Sequence, residues 1–422
     1  MKGSRVAHPN RERLVQRLEQ RRGEMVEFLR ALLRCRTPNP PGDTRPAMQL
    51  VRAFLNDHGI AFDEVTAEPT MPNLVASIGT ERAGPHLVMN GHVDVFPVGE
   101  AEKWEHDPWA ATIVDNRIVG RGACDMKSGT TALLFAFATL NEMRDDLSGR
   151  LTLTVVSDEE TFGPYGSRHL LAARTDVHGD CMLSTEPTSP MALRYGEKGP
   201  LWLRFEVETR GAHSAYAHMS PNAIQIATEI IRDLGALRDM QTEDTQALAR
   251  DLAGHGDTID AAYGKGASGI IAKVTVNPAL VRGGVKINMI PSHCSFDVDI
   301  RVPPGLDDAA VLEKVDALVR ERAGVRYCVL HYDAPNLSPV DHPMIGILQA
   351  NAKETSGVVP APIIGLGATD ARLWRQAGVP AFVYGPSPHN MGTANEYVEI
   401  DEFVHVAKVH ALSALDFLGG SR

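Results

Sequence analysis

Short apolar runs and amphipathic stretches alternate along the chain. From about Asn10 to Leu33, Leu14, Leu18, Met25, Phe28, Leu29 and Leu32 recur at helical spacing and predict an amphipathic opening helix. Thr37-Pro38-Asn39-Pro40-Pro41-Gly42 breaks it, and a second helix follows from about Arg45 to His58. Strands are predicted over Asn73–Ile78, His86–Asn90 and Arg117–Gly120, then a strongly apolar helix over Thr130–Met143. Leu151–Val156 alternates Thr with apolar residues and reads as a strand. A helix over Gly166–Ala173 and a strand over Cys181–Ser184 continue the alternation, which favours a mostly parallel sheet covered on both faces.

Near Gly196 the pattern changes. Trp202–Glu208 alternates cleanly as a strand and is followed by a helix over Asn222–Leu237 and a polar, Asp- and Gly-rich stretch over Gln241–Ser268. Strands over Ile270–Val276 and Cys294–Val302, a helix over Asp307–Ala323 and a strand over Tyr327–Tyr332 complete a small sheet with helices on one face. The chain then returns to α/β character, with helices over Pro343–Thr355 and Ala371–Ala377, a strand over Ala381–Tyr384 and a closing helix over Glu402–Leu418. Residues 1–196 and 334–422 are thus expected to form one domain, interrupted by a second over 197–333.

Composition changes this picture little. A chain of 422 residues exceeds one ordinary core, so two domains fit its length. A net charge of −11 argues against nucleic acid and anionic membranes as partners. Cys35, Cys124, Cys181, Cys294 and Cys328 are dispersed and odd in number, which reads as reduced buried thiols in a cytoplasmic protein. Met1 to Arg34 has no apolar signal core, and the longest apolar run, Ala132 to Leu140, is far short of a membrane span.

The chemistry is concentrated at strand ends. In open α/β sheets, sites form beyond the carboxyl ends of the strands. His92 follows one apolar strand, Glu159 and Glu160 a second, Glu186 a third and His389 a fourth, while Asp125 lies in a glycine-rich loop. An isolated residue of this kind is commonly a solvated loop residue; several converging on one edge form a donor set. Two histidines and three carboxylates, one of them from the Glu159-Glu160 pair, without thiolate suit two divalent ions of the zinc, manganese or cobalt kind. Strand residues two apart share a face, so Asp94 can hold the second nitrogen of His92. Adjacent residues point opposite ways, so Glu159 and Glu160 divide the work, one on metal and one towards the reacting water.

These residues stand in Asn90-Gly91-His92-Val93-Asp94-Val95, Gly120-Arg121-Gly122 to Asp125-Met126-Lys127, Asp158-Glu159-Glu160, Ser184-Thr185-Glu186-Pro187, and His389 before Asn395-Glu396-Tyr397-Val398. Together the motifs resemble the M20 zinc metallopeptidases, a family that includes deacetylases, desuccinylases, aminoacylases and carboxypeptidases. The resemblance implies a phosphorylase/hydrolase-like α/β catalytic domain with a mixed, mostly parallel sheet, interrupted by a ferredoxin-like α+β lid and dimerisation domain. It assigns His92 and Glu186 to one metal, Glu160 and His389 to the other, Asp125 to the bridge, Asp94 to orienting His92, and Glu159 to the general base. Gly211-Ala212-His213-Ser214 resembles the family's lid histidine, which serves the partner subunit's site; Asn288, Arg301 and Thr369 lie in segments that resemble its substrate-holding loops. The late loop Ala368-Thr369-Asp370-Ala371-Arg372 is closer to aminoacylases than to desuccinylases, which leaves the substrate open.

The expected activity is hydrolysis of an amide-type C–N bond in a small carboxylate-bearing substrate, led by N-acyl amino acids. Deamination of a carboxylated aromatic, carboxypeptidase or dipeptidase action, and a non-catalytic binding protein of the same fold are the alternatives. Two divalent ions, zinc foremost, and a homodimer through the lid complete the expectation.

Overall fold

The computed structural model describes residues 9–79 and 84–419. It contains two compact units. One comprises the described residues of Met1–Tyr195, Ser338–Ile363 and Thr369–Arg422, and the other Gly196–Leu337 with Ile364–Ala368.

In the first unit the strands lie in the order Phe62–Val65, Asn73–Gly79, Arg150–Val156, His86–His92, Cys181–Ser184, Ala381–Val383, Ala192–Glu197. The middle four run parallel, and the outer pairings are antiparallel. The parallel strands are buried on both faces, which is why they read in sequence as nearly continuous apolar runs. The helix Ser128–Asn141 is apolar all round and buried along its length, so it packs as a core element against the strand His86–His92 and the closing helix Ile400–Leu418. A separate cluster, with Trp374 and Leu373 of the helix Ala371–Gln376 against Val88, Met182 and Val383, packs another helix onto the sheet.

Register decides where the chemistry emerges. His92 lies opposite Val156, Asn90 opposite Ser184, and Ser184 opposite Val383. All four parallel strands therefore end at one edge. His92, the Glu159-Glu160 pair, Glu186 and the loop leading to His389 leave the sheet there.

The second unit is a four-stranded antiparallel sheet in the order Thr275–Gly283, His293–Val302, Gly199–Glu208, Val325–Tyr332. In chain order this is 2-3-1-4 with a helix after strands 1 and 3, the expected βαββαβ arrangement. Leu201, Leu203, Phe205 and Val207 alternate with half-exposed residues and meet Phe296, Val298 and Ile300 in one core with Ala227, Ile230, Val311 and Val315 of the two helices.

Several boundaries differ from expectation. The opening helix is two, Pro9–Gln20 and Arg22–Arg34, because Arg21 leaves helical geometry and its buried guanidinium sits over the Phe135 ring. The apolar period resumes after one residue, so periodicity could not register the break. Ile270–Val276 is not one strand; the strand begins at Thr275 and runs to Gly283, past a bulge at Pro278. The polar stretch after Gln241 holds two helices, Glu243–Leu252 and Gly256–Tyr263, the first opened by a capping box at Thr242. Cys328 is exposed and Cys35 half-buried, so only three of the five thiols are buried as expected. No helix among the described residues is long and apolar enough to cross a membrane.

Candidate metal centre

His92 closes its strand fully buried. Its Nδ1–H donates to the Asp94 backbone carbonyl at 3.0 Å, with the Asp94 carboxylate at 3.4 Å. That fixes the tautomer and turns Nε2 away from the strand, where it has no hydrogen-bond partner. Three carboxylate oxygens stand around it instead: Glu186 Oε1 at 3.4 Å, Asp125 Oδ1 at 3.5 Å and Glu159 Oε2 at 4.0 Å. Two donor groups share this imidazole, one with Glu159 and Glu186, the other with Asp125 and Glu160. In each, all ligand atoms lie within 4.8 Å of one another.

The structure gives Asp94 a wider role than orienting His92. Its carboxylate also accepts the backbone N–H groups of Glu159 (3.3 Å) and Glu160 (3.1 Å) and the Asn39 amide (2.9 Å). Asn39 in turn donates to Asp158 at 3.0 Å, so one amide ties together the ends of two strands. In the sequence Asn39 stands only in the helix-breaking segment Thr37-Pro38-Asn39-Pro40-Pro41-Gly42.

Asp125 sits in the irregular turn Ala123–Lys127, after a left-handed Gly122, and its peptide bond to Met126 is cis. The turn is held by Glu396, which accepts the backbone N–H groups of Cys124 (3.0 Å) and Asp125 (3.2 Å) and is ion-paired with the buried Arg121. Cys124 directs its thiol to the His389 carbonyl at 3.7 Å, and burial raises its pKa well above the thiol norm. The Glu186 loop is pressed onto the buried helix at Gly129, where an added Cβ would stand 2.5 Å from the Thr185 carbonyl.

Electrostatically the cluster is frustrated. Burial and then the Glu186 charge raise the Glu159 pKa well above the carboxylate range; burial and then Asp125 do the same to Glu160. Burial is also the main cause that pushes Glu186 up to about 7. Burial disfavours a charged His92, yet Glu186, Asp125 and Asp94 outweigh it and raise its pKa well above normal. Buried acids that suppress one another around an unpartnered imidazole nitrogen are relieved by divalent cations. The donor set therefore fits divalent metal.

The other expected residues are not members of these donor groups. His389 is in neither donor group; its ring stacks on Tyr397, with centroids 4.4 Å apart and planes 7° from parallel. Thr369 is buried, and its carbonyl accepts the Arg372 guanidinium at 2.7 Å. In the second unit, His213 is exposed and pairs with Met289 in a short ribbon, and the neighbouring Ser214 N–H donates to the Asn288 carbonyl at 3.0 Å. The ribbon thus joins His213 to the Asn288 segment. Asn288 Oδ1 is buried without a hydrogen-bond partner. Arg301 is paired with Asp299 at 2.9 Å.

Residues 88–416 match the model of "Peptidase family M20/M25/M40". The chain is 28% identical to the N-formyl-4-amino-5-aminomethyl-2-methylpyrimidine deformylase of Bacillus subtilis, over 96% of each chain. It is 30% identical to a succinyl-diaminopimelate desuccinylase of Cereibacter sphaeroides, over 91% of this chain and 94% of the relative. Among solved structures, an M20 family metallo-carboxypeptidase from Sulfolobus solfataricus shares the fold with a TM-score of 0.77 at 21% identity, over 94% of this chain and 99% of the other. Taken with the buried His92–carboxylate cluster at the sheet edge, the match shows that this chain belongs to the M20/M25/M40 peptidase family and is a metal-dependent hydrolase.

Proposed function

We propose that the protein is a dinuclear metallohydrolase that removes the acyl group from an N-acyl amino acid or a similar carboxylate-bearing amide. The observation that carries this reading is the pair of donor groups sharing His92, with Glu159 among them. His92 and Glu186 would hold one ion, Glu160 and His389 the other, and Asp125 would bridge. Zinc, manganese and cobalt all suit such oxygen and nitrogen donors. Bound ions would acidify a water and polarise the substrate carbonyl.

Glu159 Oε2 lies 4.0 Å from His92 Nε2, and this oxygen would take the proton of the attacking water and return it to the leaving nitrogen. His213 would donate to the developing oxyanion, and Arg301, Asn288 and Thr369 would hold the substrate carboxylate and acyl group. Deacylation is favoured over peptide cleavage because the two curated relatives named above remove formyl and succinyl groups, as their names state.

Metal analysis of the purified protein tests the reading. We expect about two divalent ions per chain, with turnover of an N-acetyl, N-formyl, N-succinyl or N-aroyl amino acid lost to a chelator and restored by Zn, Mn or Co. Glu159→Gln is expected to retain the metal and abolish turnover. A native protein free of metal, or turnover that survives Glu159→Gln, sinks the assignment.

A further inference from the structure

We propose that Arg372 is the positioning residue of the base: from the first turn of the helix Ala371–Gln376 it fixes the Glu159 carboxylate from behind and does not grip substrate. The inference rests on the reading of Glu159 as the base. The Arg372 guanidinium lies 3.7 Å from Glu159 Oε1, the oxygen that lacks a hydrogen-bond partner. Its own place is fixed from two sides. Nη1 donates to the Thr369 carbonyl at 2.7 Å, and the guanidinium lies over the Phe162 ring at 4.7 Å.

Phe162 belongs to the same turn as the base, since its N–H donates to the Glu159 carbonyl at 2.8 Å. The guanidinium is therefore clamped between the ring of this turn and its carboxylate. A planar, delocalised cation is suited to that slot, whereas a lysine ammonium supplies charge without the stacking plane. Asp370, two residues earlier, accepts Ser167 Oγ at 2.6 Å and Asn90 Nδ2 at 3.4 Å, which anchors the helix start to the strand that ends in His92.

Burial argues against substrate contact. Arg372 is 1% exposed, so its guanidinium is enclosed by protein and is not open to a substrate carboxylate. The loop that resembles a substrate-holding segment thus sends one side chain, Arg372, into the interior behind the base.

The test compares wild type with Arg372→Met, Arg372→Lys and Phe162→Leu as purified, metal-loaded protein, using the acyl amino acid that wild type cleaves. In Arg372→Met, kcat is expected to fall roughly 10- to 100-fold with KM within about twofold and unchanged metal content. Arg372→Lys is expected to recover part of the loss, and Phe162→Leu to fall between. The crystal structure of Arg372→Met should show the Glu159 carboxyl rotated, with His92, Asp125 and Glu186 in place. If Arg372→Met does not fold, the other two variants carry the same comparison.

An unchanged kcat, a KM raised about tenfold with kcat kept, or loss of metal would each overturn the proposal. If wild type cleaves no member of the panel, the functional reading has failed on its own. The variant structure then still decides, because an unmoved Glu159 defeats the positioning role.

Discussion

Glu396 holds the backbone of the Asp125 turn through two N–H groups and pairs with Arg121 in a fully buried site. Removing it would leave a buried guanidinium unpaired, which typically costs about 3–5 kcal/mol, and would free the turn that aims Asp125. Glu396→Ala is therefore expected to lower the melting temperature and weaken metal binding by roughly 10- to 100-fold, read by chelator competition. Glu396→Gln keeps an oxygen able to accept both backbone N–H groups, loses the ion pair with Arg121, and should be milder. At this scale the members of the two donor groups were legible: His92, Glu159, Glu160 and Glu186 follow apolar strands, and Asp125 lies in a glycine-rich loop. Asn39, Arg372 and Glu396 were not. Their partners lie far away in sequence, and a hydrogen bond to a remote backbone group imposes no local pattern.

Among the elements, the closing helix Ile400–Leu418 carries an acid-sensitive feature. His410 is fully buried, and its Nε2–H donates to the Tyr384 carbonyl at 2.6 Å; burial lowers its pKa to about 4. His405, on the same helix, is also lowered to about 4 by burial, and its Nε2 lies 2.7 Å from the Tyr384 hydroxyl. Between the ordinary histidine value and about 4, the unfolded chain takes up protons that the folded chain refuses. Stability from these groups is full at pH 7 and is lost as pH falls. For His410 the loss is on the order of 2 kcal/mol by pH 5. The raised acids of the metal centre run the opposite way, so the check is a comparison. Denaturant melts of wild type and His410→Gln should converge between pH 7 and pH 5; parallel pH dependences would refute the role. Legibility also varied at this scale. Strands buried on both faces and the all-apolar helix Ser128–Asn141 were plain in the sequence, whereas the helices Glu243–Leu252 and Gly256–Tyr263 were hidden because each buries only a few residues.

At the scale of the whole molecule, the second unit leaves apolar side chains uncovered. Leu280 and Val281 on the edge strand, and Val285, Ile287 and Met289 after it, are all exposed, with Ile287 at 100%. An open strand edge with such residues invites pairing with another chain. The homodimer expected from the sequence would use this edge in each copy, because a two-fold interface pairs the same surface of both copies. Sedimentation equilibrium should give a dimer for wild type and a monomer for Val285→Asp combined with Ile287→Asp, with metal content unaltered. A wild-type monomer with full activity would refute a catalytic His213 supplied by a partner.

The sequence by itself determined the element types, the α/β alternation broken by a βαββαβ insert, and the identity of most groups with chemistry to offer. These depend on side-chain periodicity and on polar residues placed at the ends of apolar runs, both of which are local. Only the tertiary structure decided which of those groups meet. Parallel pairing brings together strands that are distant in the chain, and its register sets His92 beside Val156 and Asn90 beside Ser184. It also decided that the stretch from His86 to Asp125, with its His-x-Asp and glycine-rich turn, depends on Asn39 at one end and Glu396 at the other. Close packing fixes those contacts, and no spacing along the chain encodes them.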